Sequence, residues 1–324
     1  MSGADTLAQR VLAGDRQALA RAITVVESAR TDHRQAANAL LACLTPKAVT
    51  SLRIGITGIP GVGKSTFIDA FGLHAIERAH RVAVLAIDPS SSVGGGSILG
   101  DKTRMTELAR RPEAYIRPSP AGETLGGASR RTRECIAVCE AAGFDRVIVE
   151  TVGIGQSETA VADMVDVFLL LLAPGGGDEL QGIKRGVVER ADIVIVNKAD
   201  GPLAADAERM KQAYASALHL MGPRGGDIES PVLTCSALTG TGIDTVWQTV
   251  EQHRLSLAST GLADRRAAQS TSWMWAEIEA TLFDRLRAAP SVRAVTAELE
   301  AAVAAGSLTP AEAAQRIVRL FLDH

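Results

Sequence analysis

The spacing of hydrophobic and polar positions changes twice along this 324-residue chain. Residues 5–45 carry apolar side chains at helical spacing, interrupted at Gly14-Asp15, which predicts an N-terminal helical extension over residues 1–48. Between residues 49 and 260, short β-branched runs alternate with longer amphipathic stretches. From residue 261 only helical spacing remains, which predicts a helical arm over residues 261–324.

The middle region predicts an α/β fold with a mostly parallel sheet. Its candidate strands are apolar on both faces and most are separated by helical segments, so we expect helices to cover both faces of the sheet. The candidate strands are residues 53–57, 82–87, 115–117, 146–150, 167–172, 193–196 and 232–234. The candidate helices between them are residues 65–79, 129–142, 203–220 and 243–257.

Three helices are predicted in the C-terminal arm. The first two cover residues 264–289 and 292–305, with Pro290 between them. The third begins at Thr309-Pro-Ala-Glu312, where a capping residue, a first-turn proline and a carboxylate follow one another. Its apolar residues need a surface to cover, either within the chain or on a second subunit.

Composition disfavours several classes of function. The 34 basic and 37 acidic side chains give a net charge of -3, and only 3% of residues are aromatic, so nucleic acid is not an expected partner. The N-terminus lacks an apolar signal, and the longest apolar run, residues 167–173, is too short to span a bilayer. We therefore expect a cytoplasmic protein or a mature organelle-matrix protein. Cys135 and Cys139 form either half of a metal site or part of a buried apolar face, and the second is favoured.

A phosphate-binding motif follows the first candidate strand. Residues 58–65 match GxxxxGK[ST], with a strand before and a helix after, which makes an accidental glycine-rich turn improbable. We expect Lys64 to bridge the β- and γ-phosphates and Ser65 to place its hydroxyl on magnesium. The expected phosphate contacts are Gly58, Ile59, Pro60, Gly61, Val62, Gly63, Lys64, Ser65 and Thr66.

Carboxylates at two strand ends suggest a magnesium site beside this loop. Asp88 and Glu150 end candidate strands at the edge where parallel sheets bind ligands, and Mg²⁺ prefers oxygen donors. Asp88 has the alternative role of capping a turn before proline. The expected magnesium ligands are therefore Ser65, Asp88, Asp101 and Glu150. The Ser/Gly-rich residues 90–101 form either a solvated loop or a loop that is ordered by the γ-phosphate and magnesium. The backbone N–H group of Gly153 is expected to contact the γ-phosphate and so to sense whether it is present.

A second motif indicates guanine. Residues 197–200, Asn-Lys-Ala-Asp, follow an apolar strand. The Asp200 carboxylate can accept from the ring N–H and the exocyclic amine of guanine, a donor pair that adenine lacks. The base-side contacts expected are Asn197, Lys198, Asp200, Ser236, Ala237 and Leu238. GTP and GDP are therefore the expected nucleotides.

With these residues in place, nearly the whole chain resembles the MeaB/MMAA family, GTPase chaperones of adenosylcobalamin-dependent methylmalonyl-CoA mutase earlier named ArgK-type transport kinases. The most specific runs are Glu150-Thr-Val-Gly-Ile-Gly-Gln156 and Pro174-Gly-Gly-Gly-Asp-Glu-Leu-Gln-Gly-Ile-Lys184. Further matching runs are residues 14–21, 58–66, 86–91, 95–101, 116–120 and 124–127.

The resemblance implies a P-loop G domain of the signal-recognition class, a homodimer through the C-terminal arm, and a mutase partner. It also implies three switch segments, with Asp88 and Asp101 in the first, residues 150–155 in the second, and Gln181 and Lys184 coupling the third to the mutase. One departure is Val93, which stands where relatives tend to have a hydroxyl residue. The lost hydroxyl leaves more of the expected magnesium contact to Asp88, Asp101 and Glu150.

The expected reaction is in-line attack of water on the γ-phosphate, catalysed by positioning and charge neutralisation. Lys64, Asp101, Glu150 and Gln156 are the catalytic candidates, although Gln156 has the alternative role of a helix-start residue. Because none is an unambiguous general base, we expect slow hydrolysis that a partner accelerates. Two alternatives stay open, a phosphotransferase kinase and a GTP-binding regulatory module without significant turnover.

Overall fold

Seven strands form one fully parallel sheet in the computed structural model. The structure describes residues 3–28, 30–44, 51–88, 105–120, 125–151, 157–174, 185–222 and 230–323. The strands are β1 Leu52–Thr57, β2 Val82–Asp88, β3 Ala114–Pro120, β4 Arg146–Thr151, β5 Val167–Leu172, β6 Ile193–Val196 and β7 Val232–Thr234. Their order is β3-β2-β4-β1-β5-β6-β7. Every predicted strand is confirmed, and the parallel α/β fold with it.

Helices connect and flank these strands. In the first part of the chain they are α1 Gly3–Leu12, α2 Arg16–Glu27, α3 Thr31–Cys43, α4 Lys64–Glu77, α5 Thr106–Ala109, α6 Leu125–Ala141 and α7 Ser157–Ala162. Then follow α8 Arg185–Val188, α9 Ala204–Met221, α10 Ile243–Thr260, α11 Leu262–Ala288, α12 Pro290–Ala304 and α13 Pro310–Leu322. The helices predicted from the sequence are confirmed within a few residues at each end.

The central strands are apolar on both faces because helices lie on both sides. All residues of β4, β5 and β6 are buried, and α4 and α10 pack one core cluster against alternate residues of β1 such as Ile54 and Ile56. Cys135 and Cys139 on α6 are also buried, and burial raises the pKa of both thiols. Their apolar role, rather than a metal site, agrees with this environment.

The N-terminal helices pack on α6 and on the edge strand β3. Asp15 caps α2 by accepting hydrogen bonds from the N–H groups of Ala18 and Gln17. These bonds and the nearby Arg10 guanidinium lower the pKa of the Asp15 carboxyl below its usual value. Glu27 at the end of α2 forms an ion pair with Arg117 of β3. This ion pair ties the N-terminal helices to the edge strand of the sheet.

The chain divides into two compact units, Met1–Arg266 and Ala267–His324. The second unit contains the rest of α11 together with α12 and α13, and Thr309 caps α13 by accepting from the N–H of Glu312 at 3.2 Å, as predicted. Pro290 does not lie between helices but opens α12, because its fixed φ and missing N–H suit the first turn. The domain limits at residues 48 and 260 stay predictions.

In the described part of the chain, no helix has both the length and the apolarity needed to cross a membrane.

Candidate nucleotide-binding site

The phosphate loop joins the end of β1 to the start of α4. Gly63 adopts a φ of 92° as the N-cap of α4, and a Cβ there would lie 2.8 Å from the Nδ2 of Asn197. A Cβ on Gly58, with a φ of 153°, would lie 2.5 Å from the carbonyl oxygen of Leu171. Only glycine fits either position, because both the backbone conformation and the contact exclude a side chain.

Lys64 is nine-tenths buried at the mouth of this loop. Its Nζ donates to the carbonyl oxygens of Gly58 at 2.7 Å and Ile59 at 3.2 Å. The N-terminus of α4 has no side-chain cap, so its first N–H groups and its positive dipole end point to the same place. A buried ammonium beside a helix N-terminus suits a phosphate group.

Two side chains with oxygen atoms that can bind a metal ion lie next to each other at this edge of the sheet. The hydroxyl of Ser65 donates to the Oε1 of Glu150 at 3.3 Å, and the Glu150 side chain is buried. A hydroxyl and a carboxylate match the hard oxygen ligands that Mg²⁺ prefers, so these two residues fit that ion. Thr66, the last residue of the predicted phosphate contacts, is exposed.

The other predicted magnesium and switch residues can be placed only in part. The backbone of Asp88 ends β2, and since Ile87 pairs with Thr151, Asp88 lies at the same edge as Glu150. The side chain of Asp88 lies outside the described part of the structure, as do Asp101, Gly153 and Gln156. Gln181 and Lys184 of the predicted third switch also lie outside it. Their predicted roles stay predictions.

Asn197 and Lys198 connect the base-side loop to the phosphate loop. The buried Asn197 amide donates to the carbonyl oxygen of Val62 at 3.0 Å and accepts from the N–H of Ala237 at 3.0 Å. Lys198, with a φ of 59°, donates to the carbonyl oxygen of Gly61 at 2.7 Å. Sequence reasoning expected both side chains at the base, whereas these contacts give them a further role in joining three loops.

A tight turn holds Ser236, Ala237 and Leu238 beside this junction. Ser236 is fully buried, its N–H donates to the carbonyl oxygen of Thr241 at 2.8 Å, and its hydroxyl accepts from the N–H of Thr239 at 3.2 Å. Leu238 at the tip is 80% exposed. Asp200, the predicted guanine acceptor, is half-buried and precedes a short 3₁₀ turn.

One polar contact in this junction was not predicted from the sequence. The thiol of Cys235 donates to the Oδ1 of Asn197 at 3.6 Å, and burial raises its pKa to about 12, so it stays a neutral donor. The carbonyl oxygen of Cys235 also accepts from the N–H of Ala199 at 2.9 Å. The only sequence signal was its position directly before Ser236.

A protein-family model matches residues 19–291 and describes the methylmalonyl-CoA mutase-associated GTPase MeaB. A putative GTPase of Caulobacter vibrioides is 55% identical over 98% of this chain and 97% of its own length. The mouse mitochondrial homologue of methylmalonic aciduria type A is 46% identical over 98% of this chain and 79% of its own. GTPase ArgK of Escherichia coli is 48% identical over 86% of this chain and 84% of its own.

A solved structure described as an LAO/AO transport system kinase has the same fold over 100% of this chain and 99% of its own, with a TM-score of 0.77 and 36% identity. The similarity therefore extends over the helical segments at both ends as well as the sheet.

Proposed function

The chain belongs to the MeaB family of methylmalonyl-CoA mutase-associated GTPases, and from this premise we propose that it is a magnesium-dependent GTPase that serves as a chaperone of an adenosylcobalamin-dependent methylmalonyl-CoA mutase. In this role, GTP binding and hydrolysis gate the loading of adenosylcobalamin and protect or reactivate the mutase. We further propose that it acts in the cytoplasm as a homodimer, joined through the C-terminal helices.

The observation that carries the GTP assignment is the junction between the two nucleotide motifs. Nδ2 of Asn197 lies 3.0 Å from the carbonyl oxygen of Val62, and Nζ of Lys198 lies 2.7 Å from that of Gly61. These bonds hold the loop that carries Asp200 against the loop that carries Lys64. One nucleotide can then contact the first loop through its base and the second through its phosphates.

In this proposal, the protein's own groups orient the phosphates and neutralise their charge. The Lys64 ammonium, already inside the loop, transfers its hydrogen bonds from carbonyl oxygens to the β- and γ-phosphates, and the N–H groups of α4 add a fixed positive dipole. Ser65 and Glu150 would hold magnesium together with Asp88 and Asp101. When bound, this ion supplies positive charge that balances the charge of the transferring phosphoryl group.

We also propose that the protein alone hydrolyses GTP slowly. Within the described part of the chain, no side chain is placed as a general base for water at the phosphate loop, and Gln156 and Glu150 are the candidates for orienting it. Bound GTP and GDP would then favour different arrangements of the loops near Glu150, and the mutase would respond to that difference.

The test is co-expression with a methylmalonyl-CoA mutase from the same organism, followed by co-purification and GTPase assays of the complex and of each protein alone. We expect a stable complex, slow release of phosphate by the protein alone, and faster release in the complex. The Lys64→Ala protein is the matched control, because it should retain the fold and bind the nucleotide far more weakly.

Other outcomes identify the alternatives. Transfer of the γ-phosphate to an acceptor molecule instead of water would make the protein a phosphotransferase, as the description of the solved relative as a kinase suggests. GTP binding without turnover, both alone and with the mutase, would make it a regulatory binding module. Failure to bind the mutase at all would refute the chaperone role.

A further inference from the structure

Two fully buried threonines form a hydroxyl pair at the ends of β1 and β4. The Oγ1 of Thr151 donates to the Oγ1 of Thr57 at 2.8 Å, and the two residues are 0% and 1% exposed. Thr57 directly precedes the phosphate loop, and Thr151 directly follows Glu150. Thr57 lies outside the nucleotide motifs, and Thr151 belongs to the second switch segment that the resemblance implies, where no role was assigned to it.

This pair lies on the opposite face of the sheet from the Ser65–Glu150 contact. Ile56 pairs with Glu150, so the next residues, Thr57 and Thr151, stand side by side. Successive side chains of a strand point to opposite faces, and Ile56 belongs to the core cluster that contains Phe67 of α4. Glu150 therefore faces α4, where Ser65 lies, and the hydroxyl pair faces away from it.

The end of β4 is thus attached to the phosphate loop from both faces of the sheet. On one face Glu150 accepts from Ser65 at 3.3 Å, and on the other Thr151 donates to Thr57. Valine has nearly the shape of threonine and would fill the same space without a hydroxyl. Because a buried hydroxyl is costly unless it is bonded, two of them facing each other favour one fixed relation between the strands.

We infer that Thr57 and Thr151 are positioning residues, which hold the end of β4 in register with β1 so that the Glu150 carboxylate stays beside Ser65 for the magnesium ion of bound GTP. This inference rests on the proposed function, since it concerns the same site. It assigns a role to two residues that are not among the expected nucleotide or magnesium contacts.

The test compares nucleotide affinity with and without magnesium, using a fluorescent GTP analogue in Mg²⁺ and in EDTA. For Thr151→Val we expect the gain in affinity from magnesium to fall about fivefold or more, the equivalent of a lost buried hydrogen bond. Affinity in EDTA should stay unchanged, because Lys64 and the loop glycines set it. Thr151→Ser, which keeps the hydroxyl, should restore most of the gain.

Two further variants separate positioning from general stability. Thr132→Val makes the same change at a buried threonine of α6 and should leave the magnesium response unchanged. Thr151→Val leaves the Thr57 hydroxyl buried without its partner, which should lower the melting temperature. The double variant Thr57→Val/Thr151→Val removes both hydroxyls, so its melting temperature should be higher than that of Thr151→Val. Its gain in affinity from magnesium should stay as low as that of Thr151→Val.

The inference would be overturned if Thr151→Val gained as much affinity from magnesium as the unaltered protein. It would also be overturned if Thr132→Val lost as much of this gain as Thr151→Val, or if the double variant regained all of it. Each of these results leaves GTP binding by the unaltered protein intact, so the proposed function survives them. If the unaltered protein fails to bind GTP, the proposed function itself fails, and this inference fails with it.

Discussion

A matched pair of glycine substitutions tests how the phosphate loop and the base-side loop are joined. Gly61 and Gly63 lie in the same loop and have similar backbone conformations, with φ of 83° and 92°. They differ in their surroundings. A Cβ on Gly61 would have no atom within 4 Å, whereas one on Gly63 would lie 2.8 Å from the Nδ2 of Asn197.

The difference between the two variants can be worked out from these contacts. Alanine at a positive φ costs about 1–2 kcal/mol at either position. At Gly63 the methyl group also displaces the Asn197 amide, which bonds to Val62 and Ala237. Two such bonds contribute about 1 kcal/mol each. We therefore expect Gly63→Ala to lower the free energy of unfolding by about 2 kcal/mol more than Gly61→Ala does.

Calorimetry of the nucleotide-free protein measures this difference directly. For the unit of residues 1–266, 2 kcal/mol corresponds to a melting temperature lower by about 4 °C. Nucleotide must be absent because both glycines border the phosphate site, and a loss of binding would otherwise contribute to the comparison. The effect of alanine on the unfolded chain is common to both variants and cancels.

Equal melting temperatures for the two variants would contradict this expectation. They would mean that Asn197 moves aside without losing its bonds, and that the junction of the two loops does not depend on a close approach at Gly63. Gly63→Ala in the Asn197→Ala background provides an independent check, since without the amide the added methyl group should cost only the penalty of the positive φ, as at Gly61.

Three further predictions concern charge. Lys64→Ala should weaken GTP and GDP binding on the order of a hundredfold, because the ammonium supplies charged hydrogen bonds to phosphate; calorimetric titration measures this, and near-normal affinity would contradict it. Asp200→Asn should abolish the preference for GTP over ATP, because the carboxylate pairs with two donors of guanine, and such pairing can give a preference of about 10⁴. Competition between GTP and ATP measures the preference, and an unchanged value would show that other residues recognise the base. Burial, and secondarily Arg265, lower the pKa of His253 from 6.5. The fold therefore favours its neutral form, and stability declines as pH falls below about 6.5 because the unfolded chain binds the proton more readily. Urea titrations at pH 7.5 and pH 5 measure the free energy of unfolding, which should fall less for His253→Gln than for the unaltered protein. An equal fall in both proteins would show that other groups cause the acid sensitivity.

The sheet could be predicted strand by strand because its central strands are buried on both faces. A strand that is buried on both faces has a continuous apolar run such as Val167–Leu172, which can be recognised without knowing which strands lie beside it. The phosphate loop is equally local, since a glycine-rich turn between a strand and a helix needs only adjacent residues. The capping sequence at Thr309 was likewise found from neighbouring residues alone.

The contacts across the site had no such signal. The sequence does not state that β4 lies between β2 and β1, yet this order brings Glu150 to Ser65, 85 residues away. The motif that contains Asn197 indicated a base-reading residue, and only the fold revealed that its amide bonds to Val62, 135 residues away. The hydroxyl pair of Thr57 and Thr151 was also invisible, because threonine is ordinary in a strand.

The helices and strands, the phosphate motif and the preference for guanine could be inferred from the sequence alone, because periodicity and short motifs record burial and hydrogen bonding between near neighbours. The tertiary structure decided which loops meet and which side chains hold them together. Those choices depend on strand order, which is set by many weak contacts between distant parts of the chain and leaves no local pattern.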